Sequence, residues 1–166
     1  ASVTIMQHVT IDVDFKATTT SGSIFTHCNN DAGIHSYRVV LSKEGLNQDG
    51  EFYSSAKYYC FDLCAKEVVS KEEATATIPD GTYRLVVGDQ LSDRGINHMY
   101  SYYYNGSEEV GLADAEVVVE DGKIVANVAL ANGEYHRVEY AGSLVIPVYN
   151  ASVTGGLSTL TDDHTF

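Results

Sequence analysis

An all-β fold follows from three features of the sequence. Apolar and polar residues alternate at a period of two, Gly, Asn and Asp punctuate the runs, and helical periodicity is hard to find. The first segment sets the pattern: Val9, Ile11, Val13 and Phe15 share one face while Thr10, Asp12, Asp14 and Lys16 share the other. That spacing predicts a strand with one wet side. A polar stretch from Thr18 to Gly22 follows, and after Asn29-Asn30-Asp31 a second strand is expected from about His35 to Ser42, aligning Tyr37, Val39 and Leu41.

Lys43 to Ser55 reads as a loop. Lys57 to Ala65 then aligns Tyr59, Phe61 and Leu63, with Tyr58, Cys60, Asp62 and Cys64 opposite. Bulk on both faces predicts a central strand. Glu73 to Ile78 is expected to be a strand, Pro79-Asp80-Gly81 its turn, and Thr82 to Val87 its return, with Tyr83, Leu85 and Val87 inward. Asp89 to Asn97 reads as a loop, and Asn97 to Tyr104 as a Tyr-dense strand closed by Asn105-Gly106.

The clearest local signal is the hairpin from Ala115 to Leu130 around Asp121-Gly122, a dipeptide that tolerates the positive φ angles of a two-residue turn. Its predicted register pairs Glu120 with Lys123, Val119 with Ile124, Val117 with Ala126 and Ala115 with Val128. The next turn, Asn132-Gly133, leads into Glu134 to Tyr140. A strict two-residue loop there would put Arg137 and Glu139 on the apolar face, so an extra or bulged residue is expected, turning His136, Val138 and Tyr140 inward. Ser143 to Tyr149 adds a strand, and a short segment follows Gly155-Gly156. These roughly nine to eleven strands, with no helix long enough for a βαβ crossover, predict one domain over residues 1–166. The expected architecture is a two-sheet antiparallel β-sandwich, Ig-like or transthyretin-like.

Ten Lys and Arg against 23 Asp and Glu give a net charge of −13. That field repels phosphate backbones and anionic headgroups, which argues against nucleic acid or a peripheral membrane role. No apolar run is long enough to span a bilayer. Of the three cysteines, Cys60 and Cys64 on one strand stand about 13 Å apart at a rise of roughly 3.3 Å per residue. A disulfide needs under about 7 Å, so these two do not bridge each other. Cys28 pairs with one of them, or all three thiols are free.

Metal and catalytic motifs are not in evidence. Asn47, Asp49 and Gly50 imitate part of an EF-hand loop, but the first and last ligand positions fall on Gly45 and Ala56. The acidic pairs Asp89 with Asp93 and Asp162 with Asp163 suit solvated loops better than calcium. His27-Cys28 with His35 is the nearest approach to a zinc set, and CxxC and HxxxH pairs are missing. There is no G-x-S-x-G elbow, HExxH, P-loop or Rossmann glycine pattern. No cofactor is therefore assigned, and an enzyme is not expected. The most suggestive surface is Tyr100, Tyr102 and Tyr104, which alternation puts on one face of a strand, with Tyr103 on the other. Tyrosine offers a flat apolar ring with a hydroxyl, suited to stacking on sugars or to a protein interface. The competing reading is a cross-strand aromatic ladder.

The order YRVVLS, YYCFDLCA, IPDGTYRLVV, INHMYSYYY, AEVVVEDGKIVANVALANGEYHRVEYAGSL and LSTLTDD resembles β-sandwich domains in surface lipoproteins of gut Bacteroidales, over about Ile34 to Asp163. The resemblance implies export to the cell surface, outer membrane or periplasm, with any membrane attachment through a lipid anchor upstream of Ala1. It carries over no functional residue. The chain is more distantly similar to fimbrillin-type adhesins, whose sandwiches assemble by strand exchange; the opening strand, TIDVDF, fits that. The expected function is a non-enzymatic surface binding or adhesion module with a glycan or protein partner. The alternatives are a fimbrillin-like structural subunit and, last, a glycan-active enzyme with two carboxylates about 5–10 Å apart.

Overall fold

The computed structural model describes residues 10–29, 33–66, 73–88 and 91–148, with backbone alone at 26–29. Within them the chain is all-β. The N-terminal half forms β1 (Val13–Lys16), β2 (Thr19–Asn29), β3 (Ile34–Ser42), β4 (Tyr58–Ala65), β5 (Thr75–Thr77) and β6 (Gly81–Val86). Three-residue strands β7 (Gly95–Asn97) and β8 (Tyr102–Tyr104) follow, separated by a 3-10 turn at His98–Tyr100. The long β9 (Glu109–Glu120), β10 (Lys123–Leu130), β11 (Tyr135–Ala141) and β12 (Val145–Pro147) complete the described strands.

The hairpin of β9 and β10 has the register that its turn dictates. Lys123 pairs with Glu120, Ile124 with Val119, Ala126 with Val117 and Val128 with Ala115. Asp121 and Gly122 take φ of 51° and 77°, the mirror-image turn whose twist suits flanking strands. The next connection contains the extra residue: Leu130 N–H donates to the Glu134 carbonyl at 2.8 Å across Ala131-Asn132-Gly133, with Gly133 at φ 94°. That sets Val128 opposite His136, Ala126 opposite Val138 and Ile124 opposite Tyr140. His136, Val138 and Tyr140 are buried as a result.

The strands do not divide into the two separate sheets of the expected sandwich. Ten belong to one continuous sheet, in which β4, β7, β6, β9 and β8 close into a five-stranded ring. One wing leaves the ring at β9 through β10 and β11 to β1, the other at β4 through β3 to β2. The cause is the shortness of β7 and β8, which share one side of β4 and pair on their far sides with β6 and β9. Edges that an open sandwich leaves bare are thereby paired. The linker between β1 and β2 ties the wings together: Ala17 N–H donates to Glu139 at 2.8 Å and Thr18 N–H to Ser42 at 3.0 Å. Between the wings lies the main core, with Tyr37, Tyr59, Phe61, Leu63, Ile124 and Val138 among its buried side chains.

Several elements depart from the sequence reading. Strand β2 begins at Thr19, inside the stretch read as a polar connection, because its neighbour β3 supplies the ladder that its own composition does not advertise. The segment after β5 does not return as a hairpin: β5 pairs with β12, and β6 with β7 and β9. Strand β6 stops at Val86, so Val87 is 72% exposed and not inward. The Tyr-dense strand is broken by the turn at His98–Tyr100, where the Asn97 side chain accepts the Met99 N–H at 3.1 Å and holds the chain out of the ladder. Val9, Asp89, Asp162, Asp163 and the segment after Gly155 lie outside the described residues, as do the side chains of His27 and Cys28.

Where β2 crosses β3, a Cβ at Gly22 would meet the Arg38 carbonyl oxygen at 2.0 Å, whereas one at Gly111 in β9 would meet nothing within 4 Å. Gly22→Ala is expected to lower unfolding free energy by about 1–3 kcal/mol through forced strand separation. Gly111→Ala should change it by under about 0.5 kcal/mol. Urea denaturation of the two variants checks the contrast, and equal midpoints would contradict the close approach.

Candidate functional site

The predicted tyrosines are distributed by the ladder between β4 and β8, which pairs Tyr58 with Tyr104, Tyr59 with Tyr103 and Cys60 with Tyr102. Tyr102 and Tyr104 therefore lie on the outer face of the ring, around Tyr58. The Tyr58 ring stacks on Phe52 at 3.9 Å and on Tyr104 at 5.1 Å, and meets Tyr102 edge-on at 6.3 Å. Tyr102 is 6% exposed and packs with Val40, Tyr58 and Cys60; Phe52 and Tyr104 are half-buried against that cluster. Burial pushes the Tyr58 hydroxyl up to about 12, its hydrogen bond with Tyr102 pulling the other way. Burial also raises Tyr102 and the free thiol of Cys60.

Tyr100 is not part of that stack. It ends the 3-10 turn, and its ring carries the guanidinium of Arg38 at 4.3 Å, with Phe25 at 4.9 Å from the same group. Arg38 is buried and ion-paired with Asp62 at 3.8 Å, directly across the ladder. Asp62 also accepts from the Ser36 hydroxyl and, at 3.1 Å, from the Asn97 side chain. Cys64 is disulfide-bonded and Cys60 is not, so the two do not bridge each other, in keeping with their separation along β4.

Tyr103 points the opposite way, into the space between the wings. Its ring stacks on Tyr59 at 4.6 Å and meets His136 edge-on at 4.8 Å; Phe15 meets Tyr59 at 4.9 Å. His136 is fully buried, with Nδ1 2.6 Å from the Tyr59 hydroxyl and Nε2 2.9 Å from Glu134. A proton on Nε2 satisfies both contacts, because Nε2–H then donates to the carboxylate while Nδ1 accepts from the phenol. Burial, and then Tyr103 and Glu134 nearby, raise the Tyr59 pKa; burial and Glu134 raise that of Tyr103.

Above this buried group opens a cavity of about 380 Å³, at the low end of the roughly 300–1,000 Å³ typical of small-molecule pockets. Strand β1 contributes Asp14 and Phe15, and β8 contributes Tyr103. The turn after β3 adds Lys43 and Glu44, and the segment before β4 adds Ser55 and Lys57. Both aromatics are buried, which makes them its apolar wall. The Lys43 turn is held by the Thr18 hydroxyl, which donates to the Lys43 carbonyl at 2.7 Å, and by Gly45 N–H donating to Ser42 Oγ at 3.1 Å. Ser55 takes a φ of 64°, and the missing side chain of Gly106 leaves room for its carbonyl. Lys43 Nζ lies 4.8 Å from the centre of the Phe15 ring.

None of these pocket residues is among Tyr100, Tyr102 and Tyr104. The sequence pattern put Phe15 on the apolar face of its strand and Tyr103 opposite Tyr100, Tyr102 and Tyr104, assigned neither to a site, and read Lys43 to Ser55 as a loop. Among the described residues no three His, Cys, Asp or Glu side chains gather as a metal-binding set. Asp93, one partner of the acidic pair considered for calcium, is bound by Arg94 at 2.6 Å. No protein-family model, curated protein or solved structure matches this chain.

A raised phenol pKa lets the unfolded chain ionise before the folded one, so the folded state loses ground once pH passes the ordinary phenol value. Stability contributed at Tyr58 is therefore full below pH 10, where both forms are protonated, and is lost as pH rises toward about 12. Urea midpoints measured between pH 8 and 12 should fall above pH 10, and Tyr58→Phe should flatten that fall. An unchanged slope in the variant would contradict the burial of this hydroxyl.

Proposed function

We propose that this chain is a non-catalytic extracytoplasmic binding module that holds the end of a glycan in the cavity between β1 and β8. One observation carries the reading: two buried aromatic rings, Phe15 and Tyr103, wall a cavity whose rim is charged and hydroxyl-bearing. An apolar ring face surrounded by polar groups matches a sugar, which has one C–H face and a girdle of hydroxyls. The floor is rigid, because its rings interlock with Tyr59 and His136, so little ordering cost falls on binding. A disulfide at Cys64 supports an oxidising compartment.

The Tyr102 and Tyr104 face is the competing glycan surface, with the half-buried Phe52 and Tyr104 edges beside Tyr53, which is 49% exposed. A second reading, assembly by strand addition, is favoured by β1, a four-residue strand at the end of the sheet with β11 as its ladder partner among the described strands. Light scattering at high concentration separates it, since a persistent monomer removes this reading.

A glycan array followed by amide-shift mapping on the unsubstituted protein tests the proposal. Shifts confined to Phe15, Lys43 to Glu44, Ser55 to Lys57 and Tyr103 are expected. Shifts centred on Phe52, Tyr58 and Tyr104 would move the site to the outer stack, and no glycan bound at all would end the proposal.

A further inference from the structure

We infer that the cavity between β1 and β8 selects acidic sugars, taking a ring-borne carboxylate at Lys43 and Lys57; this rests on the glycan-binding reading above. The argument begins with charge. The chain carries 23 acidic residues and ten Lys and Arg, so its overall field disfavours anions, and an anion site needs local cations. Among the described residues Lys16, Arg38, Arg84, Arg94 and Arg137 each pair with a carboxylate. Lys43, Lys57, Lys66 and Lys123 do not, although acids outnumber cations by more than two to one, and of these Lys43 and Lys57 line the same cavity.

Two carboxylates, Asp14 and Glu44, line the cavity with them. Asp14 meets Lys16 at 3.2 Å, an exposed contact that Lys16 shares with Glu139, and Glu44 has no cation partner. The two ammoniums, neither paired with a carboxylate, are what the lining offers to a negative charge on the ligand. Glu44 and the Ser55 hydroxyl remain as partners for sugar hydroxyls. Lys43 is also aligned with the apolar wall, its ammonium resting over the Phe15 ring. A charge contact and an apolar ring are thus presented together in one lining, which suits a pyranose that bears a carboxylate. Lysine, a flexible point charge, suits a carboxylate or sulfate that is bound and released, where a bidentate arginine fork would hold it in one geometry.

Calorimetric titration with methyl glucoside, methyl glucuronoside and a sulfated glucoside tests this at low and high salt. The glucuronoside is expected to bind at least about tenfold more tightly than the glucoside at low salt, with the gap closing in strong salt as exposed charges are screened. In the double variant Lys43→Gln, Lys57→Gln the glucuronoside should fall to the glucoside level while glucoside affinity persists. Both lysines are exposed, and an unchanged circular dichroism spectrum confirms the fold of the variant. Equal affinity for neutral and acidic sugars would overturn acid selection and leave the glycan pocket standing. A preference that survives the double variant would place the carboxylate elsewhere, and a sulfated ligand preferred over the glucuronoside would replace carboxylate with sulfate as the selected group. Binding of no sugar would remove the glycan reading itself.

Discussion

Strand β4 is the constraint on which the rest of the structure depends. It is buried along its whole length on both faces, and it hydrogen-bonds on both sides. One side pairs with β3 continuously from Tyr58 to Ala65. The other side is shared, with β8 taking Tyr58 to Cys60 and β7 taking Leu63 and Cys64. Asp62 falls in the gap, where the 3-10 turn carries the chain away from the ladder. Its backbone N–H donates instead to Ser101 Oγ at 2.9 Å, and the Ser101 hydroxyl donates on to the Asn97 carbonyl at 2.7 Å. A buried amide without a partner costs about as much as a lost hydrogen bond, so this serine is what allows two short strands to replace one long one.

The same gap explains the buried charge. Ring closure brings β2, β3, β4 and the turn together on the outer face, where Asp62 is 1% exposed. An isolated carboxylate there would be severely penalised, and Arg38, Ser36 and Asn97 supply the compensating contacts. Arg84 and Glu116 repeat the cross-strand pairing of an arginine with an acid, between β6 and β9. There the arginine side chain is half exposed and the Glu116 side chain is buried.

What was legible in the sequence divides by chain distance. The β9 and β10 register was readable because Asp121-Gly122 dictates local backbone angles and the strands follow at once. The inward turn of His136 was readable because the alternative buried Arg137 and Glu139. Strand β2 was not, since Thr19 to Ser23 has no apolar alternation and becomes a strand only against β3. The break at His98–Tyr100 depends on Asn97 and Ser101 side chains that bond backbone groups locally, a competition with the ladder that alternation does not register. The cavity was invisible because β1, the turn after β3, the segment before β4 and β8 meet only through tertiary pairing. Val13 opposite His136, in a parallel ladder, is a contact no local pattern announces.

The cavity and the turn after β10 are connected physically. A one-residue slip in a strand exchanges its two faces, so the three-residue loop at Ala131-Asn132-Gly133 determines whether β11 offers histidine or arginine to the interior. Asn132 Oδ1 accepts the Glu134 N–H at 3.0 Å, fixing the residue whose carboxylate meets His136 Nε2. His136 in turn holds the Tyr59 hydroxyl, and Tyr59 supports the rings of Phe15 and Tyr103. The aromatic wall is therefore set from a hairpin loop that does not itself line the cavity. A shorter loop would leave the β9 and β10 hairpin unchanged but put Arg137 and Glu139 beneath the tyrosines.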